Sequence, residues 1–242
     1  MNRFKAIVVS LIFFCSWSVP VVSSQYETSV IVAMDFSSSY FAKERFRNIQ
    51  KNFNTLGKAS VSRNSGAPRP LLFQVIPIDE LSQSKGTVCE YTLQEARMLG
   101  GGDDDCDGES QCSSDYRDFK TFLKDICVPS ILKRKVAELT DIEGALSLAG
   151  QLSYAQRADN TYLFIFSDMA EYRYEEVIST PPDLEGMSVV VVCGGVVFAA
   201  RNEFCMSTKD IWTERLTGFG AESVDFVVES GKWDDVARDL FE

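Results

Sequence analysis

Three short polar groups stand directly behind apolar or turn segments, where side chains are free to do chemistry. Asp35-Phe-Ser37-Ser-Ser39 follows the apolar run Ser29–Met34. Thr140 opens a helical stretch after a polar turn, and Asp168, in Phe166-Ser-Asp168-Met, follows Thr161–Phe166. Together they offer two carboxylates and three hydroxyls, all of them oxygen donors. A hard divalent cation, Mg²⁺ or else Mn²⁺ or Ca²⁺, prefers such a set and fills its remaining positions with water. The chain contains no histidine. That removes Ser-His-Asp and Cys-His catalysis and every zinc site that needs imidazole. The competing reading of the same residues is structural: Asp35 and Asp168 cap helices while Ser37 and Ser39 satisfy backbone donors.

A second acidic group, Asp103-Asp-Asp105-Cys-Asp107-Gly108, has the Asp-x-Asp-x-Asp-Gly spacing of the first half of a calcium loop. Position 12 of that count is Ser114 rather than Glu, with Asp115 one residue later. The bidentate ligand is thus missing or displaced, and a solvated acidic loop competes with a Ca²⁺ site. Gly100-Gly-Gly102 has no Lys at the spacing of a phosphate-binding loop.

Positioning these groups requires a framework, and the apolar runs provide one. Ser29–Met34, Leu71–Ile78, Thr161–Phe166, Ser188–Val192 and Val224–Val228 are short and rich in β-branched or aromatic residues. They are continuously apolar rather than alternating, which predicts strands buried on both faces, as in a parallel sheet. Helical patterns fall between them: Phe41–Leu56, Tyr116–Cys127, Ile131–Leu139, Asp141–Ala155, Thr208–Thr217 and Lys232–Phe241. Pro129 is expected to break the second pattern from the third. Lys133-Arg-Lys135 reads as the exposed face of a helix, and Trp212 and Trp233 as packing against the sheet. Strands alternating with helices predict a doubly wound α/β fold, with ligands beyond the carboxyl ends of the strands. One domain from residue 25 to 242 is expected, carrying an acidic, cysteine-bearing insertion at 79–115.

Met1–Ser24 has the layout of a secretory signal peptide: Arg3 and Lys5, an apolar core from Ala6, then Pro20 with Val22 and Ser24 before a cut at Gln25. An uncleaved anchor is the alternative; no other segment is apolar enough to span a membrane. Six cysteines lie beyond it, Cys89, Cys106, Cys112, Cys127, Cys193 and Cys205. In an exported chain an even number suggests disulfides, although six cysteines allow 15 connectivities. Proximity favours Cys106–Cys112 and Cys193–Cys205, leaving Cys89–Cys127. The formal charge of −11 argues against a nucleic-acid partner.

The order of these elements resembles the von Willebrand factor type A (VWA) domain and its metal-ion-dependent adhesion site. Asp-x-Ser-x-Ser follows the first strand, Leu139-Thr-Asp-Ile-Glu-Gly-Ala-Leu-Ser-Leu-Ala resembles the family's Thr-Asp-Ile-x-x-Ala-Leu helix opening, and Tyr162-Leu-Phe-Ile-Phe-Ser-Asp168 resembles its strand leading to Thr-Asp-Gly. Met169 stands where the family usually has Gly, and Glu138-Leu139 replace the small residues that often precede the Thr. The resemblance implies that Asp35, Ser37, Ser39, Thr140 and Asp168 hold the metal and that an Asp or Glu of a partner protein completes its shell. It therefore implies a non-enzymatic module of adhesion or assembly, which the signal-like segment and the cysteines place outside the cytoplasm, periplasmic or extracellular. A metal-independent scaffold of an envelope or secretion complex is the alternative. A Mg²⁺-dependent phosphoryl hydrolase is another, since haloacid-dehalogenase-like phosphatases place Asp-x-Asp after a first strand. Ser37 replaces the second Asp here, which loses the general acid.

Overall fold

The computed structural model describes residues 26–41, 50–54, 56, 71–93, 117–172, 180–194 and 198–228. Six strands form one sheet: β1 (Tyr26–Asp35), β2 (Leu71–Ile78), β3 (Cys89–Leu93), β4 (Ala158–Ser167), β5 (Met187–Cys193) and β6 (Ser223–Val228). Their order is β3-β2-β1-β4-β5-β6. Every pairing is parallel except β2–β3. The chain builds outward from β1 to one edge and then returns to lay β4 on the other side of β1. The β1–β4 boundary is therefore the point at which the direction of winding reverses, where an open α/β sheet leaves its crevice. The α/β fold read from the sequence is the fold observed.

Burial on both faces explains the apolar runs of β1, β2, β4 and β5, whereas Val224–Val228, expected to be buried likewise, lies in edge strand β6, where only Phe226 is buried. Along β1, Val30, Val32 and Met34 join one core with Phe73, Phe164 and Phe166, under Phe53, Phe119 and Leu123. Ile31 and Ala33 join the opposite core with Ile165, Val191, Leu146 and Trp212. Each such side chain removed from water contributes about 1.5–3 kcal/mol. The helices on the second face are α2 (Ile142–Gln156) and α4 (Lys209–Gly218), with α3 (Phe198–Ser207) beside α4. Trp212 is buried in that core as expected; Trp233, the pattern Lys232–Phe241, residues 1–24 and the acidic groups Asp103, Asp105 and Asp107 lie outside the described residues.

Three expectations change. Pro129 does not break its helix: residues 117–122 run into a π turn, Leu123–Cys127, and on into α1 (Val128–Lys133). A proline ring clashes with the carbonyl four residues earlier and donates no hydrogen bond, and the wider π spacing just before Pro129 accommodates both defects. The helix then stops at Lys133 instead of continuing to Leu139, because the backbone of 134–141 bonds elsewhere: Ala137 N–H to Phe36 O (2.9 Å), Asp141 N–H to Asp79 O (2.9 Å). Arg134 accordingly leaves any exposed helical face and pairs with Asp79 at 2.9 Å, its guanidinium 5.1 Å from the Phe36 ring centroid. Finally, Cys89–Leu93, read as part of the 79–115 insertion, is an edge strand of the sheet, antiparallel to β2.

Among the described residues two disulfides fasten the frame: Cys89–Cys127, the pair left over by the choice of near neighbours, and Cys193–Cys205, the pair that proximity favours. The first ties edge strand β3 to the π turn; the second ties the end of β5 to α3. Cys106 and Cys112 lie outside the described residues.

Candidate metal centre

Asp35 is the last residue of β1 and Asp168 the first beyond β4, and β1 and β4 are parallel neighbours in which Met34 pairs with Phe166. Both carboxylates therefore emerge at the same edge, side by side at the winding switch. Both are fully buried. Asp35 Oδ1 accepts the Ser37 N–H at 2.7 Å and Oδ2 accepts the Ser167 hydroxyl at 2.6 Å. Asp168 Oδ1 accepts the Ala170 N–H at 3.0 Å. Ser37 Oγ and Ser39 Oγ lie 3.1 Å apart, Ser37 buried and Ser39 partly exposed.

Burial pushes the Asp35 carboxyl up to about 6, and the Asp168 charge adds to the rise; hydrogen bonds from Ser167 and Ser37 oppose it. Desolvation wins because a carboxylate removed from water loses more than two donors return.

The third segment reaches the same rim through backbone bonds. Thr140 is buried, and its N–H and C=O exchange bonds with Tyr172 at 2.6 and 3.0 Å, four residues beyond Asp168. Ala137 bridges Ser37. Asp141 then caps α2, its Oδ1 accepting the Gly144 N–H at 2.9 Å. A Cβ at Gly144 would collide with the Asp141 carboxylate, so any larger residue there displaces the capping side chain. Asp35 and Asp168 each accept the backbone N–H two residues further on, as the structural reading expects, while α2 is capped by Asp141; the stretches 42–49 and 173–179 that follow the two rim aspartates lie outside the described residues.

Two features at the rim were not read from the sequence. Ser167, adjacent to Asp168, donates to Asp35 and accepts the Met169 N–H at 2.9 Å. Met169 itself is left-handed, with φ +58°. An L-residue there costs roughly 1–2 kcal/mol, which explains why glycine suits the position. Here the Ser167 hydroxyl holds its N–H, and the Trp212 indole donates to its carbonyl at 3.2 Å.

Among the described residues no three His, Cys, Asp or Glu side chains gather as a cluster. Two carboxylates flanked by hydroxyls suit a hard cation that keeps waters, and they do not suit a soft one. Asp35, Ser37, Ser39, Thr140 and Asp168 could hold such an ion, which would bring positive charge to two buried neighbouring carboxylates.

No protein-family model and no curated protein sequence matches the chain. Solved structures resemble it distantly. An aerotolerance-related membrane protein from Bacteroides fragilis is 13% identical with a TM-score of 0.45, over 88% of this chain and 96% of that one. A mutant of the PilB minor pilin from Streptococcus sanguinis is 10% identical with a TM-score of 0.49, over 92% and 62%. A von Willebrand factor type A protein from Catenulispora acidiphila is 10% identical with a TM-score of 0.44, over 89% and 42%. This chain therefore spans less than two thirds of the pilin chain and less than half of the Catenulispora chain.

Proposed function

We propose that the protein is an exported binding module of the VWA type, whose rim holds a divalent cation, Mg²⁺ foremost, and through it a carboxylate of a partner protein. In this reading Asp35, Ser37, Ser39, Thr140 and Asp168 hold the ion. The observation that carries it is the pair of fully buried carboxylates at the ends of adjacent parallel strands, flanked by hydroxyls. A bound cation neutralises that pair and presents a Lewis-acidic position to an outside oxygen. The surrounding acidic chain would repel a partner's Asp or Glu, and the ion reverses that field locally.

Two observations support a protein as the ligand and export as the setting. Leu81, Val136 and Tyr172, one on each of three segments tied into the rim, are 44, 47 and 64% exposed, apolar surface of the kind that a protein partner covers. Two disulfides suit an oxidising compartment, periplasmic or extracellular. Among the described residues no helix is long and apolar enough to cross a membrane.

The test is capture of partners by the chain from residue 25, from envelope and secreted extracts, in Mg²⁺ and in chelator, with Asp35→Ala alongside. Partners retained only in Mg²⁺ and lost with Asp35→Ala support the reading. Partners retained under all three conditions would replace it with a metal-independent scaffold.

A further inference from the structure

We propose that Arg215, on α4, is a positioning residue for the rim, cross-bracing the segments that carry Thr140 and Asp168 and so setting how tightly a cation is held. This inference rests on the metal-binding reading above. The Arg215 guanidinium pairs with Glu143, in the first turn of α2, and with Glu171 at 3.2 Å. Glu143 lies three residues beyond Thr140, and Glu171 three beyond Asp168. Glu171 adds a second tie between the segments, its Oε1 accepting the Glu143 N–H at 3.1 Å.

Arg215 also stacks on Trp212, its Cζ 4.0 Å from the ring centroid. Trp212 is the residue that holds the carbonyl of left-handed Met169, next to Asp168. One guanidinium thus bears on the Asp168 segment by two routes, through Glu171 and through Trp212, and on the Thr140 segment through Glu143. The glutamate side chains are 17 and 15% exposed and that of Arg215 32%, so the pairs are partly shielded from solvent, more than open surface pairs are. Both carboxylates are met by one nitrogen, Nη2, and the planar guanidinium is held in place by stacking on Trp212, which a Lys ammonium does not reproduce.

A positioning role and a mere charge-balancing role predict opposite signs. Removing the guanidinium takes one positive charge away from Glu143 and Glu171 near the rim. Electrostatics alone would then draw a cation more strongly. If Arg215 instead holds the two segments in register, its loss loosens the donors and the cation binds more weakly, by about 10–100-fold, as is typical for residues that orient metal ligands.

The experiment titrates Mn²⁺ into the chain from residue 25 by electron paramagnetic resonance, for wild type, Arg215→Ala, Arg215→Lys and Glu171→Gln. Circular dichroism confirms that each is folded at the working temperature. The expected result is unchanged stoichiometry with at least tenfold weaker binding in Arg215→Ala, and weakening in Arg215→Lys although its charge is kept. Amide exchange in metal-free Arg215→Ala should quicken at Met169 and Ala170 but not within β1. Equal or tighter Mn²⁺ binding in Arg215→Ala overturns the inference and leaves the metal reading standing. Absence of Mn²⁺ binding in the wild type overturns both.

Discussion

Replacing Asp35 by Asn isolates the electrostatics of the rim. Its carboxyl is raised from 3.8 to about 6, and the shift corresponds to about 3 kcal/mol at 1.36 kcal/mol per pK unit. Because the folded value lies above the unfolded one, the folded state favours the protonated acid. The associated stability is fully present below pH 3.8 and is lost as pH rises through about 6. Asn has no charge to desolvate, so this pH dependence disappears. The amide has one carbonyl oxygen, and it cannot accept both the Ser37 N–H and the Ser167 hydroxyl, which costs roughly 1 kcal/mol. In chelator, Asp35→Asn should therefore be about 2 kcal/mol more stable than wild type at pH 7.5 and about 1 kcal/mol less stable at pH 3.5, the two curves crossing between. Urea unfolding across that pH range measures the difference, and carboxylates common to both proteins cancel in it. Adding Mg²⁺ at 100 times its Kd at pH 7.5 should raise the wild type by about 2.7 kcal/mol and leave Asp35→Asn unmoved. A variant that is less stable than wild type by the same amount at every pH would refute the claim that Asp35 is penalised by burial.

Three further outcomes follow from the frame. Arg157 closes α2 in the left-handed conformation at φ 50°, so Arg157→Gly should gain about 0.5–1 kcal/mol in urea unfolding without affecting the rim. Cys89→Ser/Cys127→Ser opens a link with a sequence separation of 38 and should cost about 3–4 kcal/mol, read as an earlier urea midpoint. A phosphatase screen with p-nitrophenyl phosphate and Mg²⁺ should give no turnover, since Ser37 cannot act as the general acid that Asp-x-Asp chemistry needs; turnover lost in Asp35→Ala would restore the hydrolase.

The parts of the fold that could be read from the chain are those whose burial is complete. β1, β4 and β5 are apolar on both faces, so their sequences name them directly, and the residues after them name the rim. β3 was missed because an edge strand is half solvated: in Cys89-Glu-Tyr-Thr-Leu93 only the two ends are buried, which leaves no continuous run. The passage through Pro129 was missed because a π turn has no sequence periodicity of its own to announce it. At the rim, Asp35 and Asp168 were legible because each directly follows an apolar strand. Arg215 was not: its partners lie 72 and 44 residues away, and only the packing of α2 and α4 into the same core brings them together. Ser167 stood in plain view beside Asp168, yet its role depends on strand register, which a single chain does not display.

The cation is the centre of this account, and one titration tests it most directly. Mn²⁺ added to the chain from residue 25 at pH 7.5 should populate a single site at the rim, lost in Asp35→Ala and in Asp168→Ala while both remain folded. Binding of equal strength in wild type and both variants would contradict it, as would a wild-type protein that leaves millimolar Mn²⁺ wholly in solution.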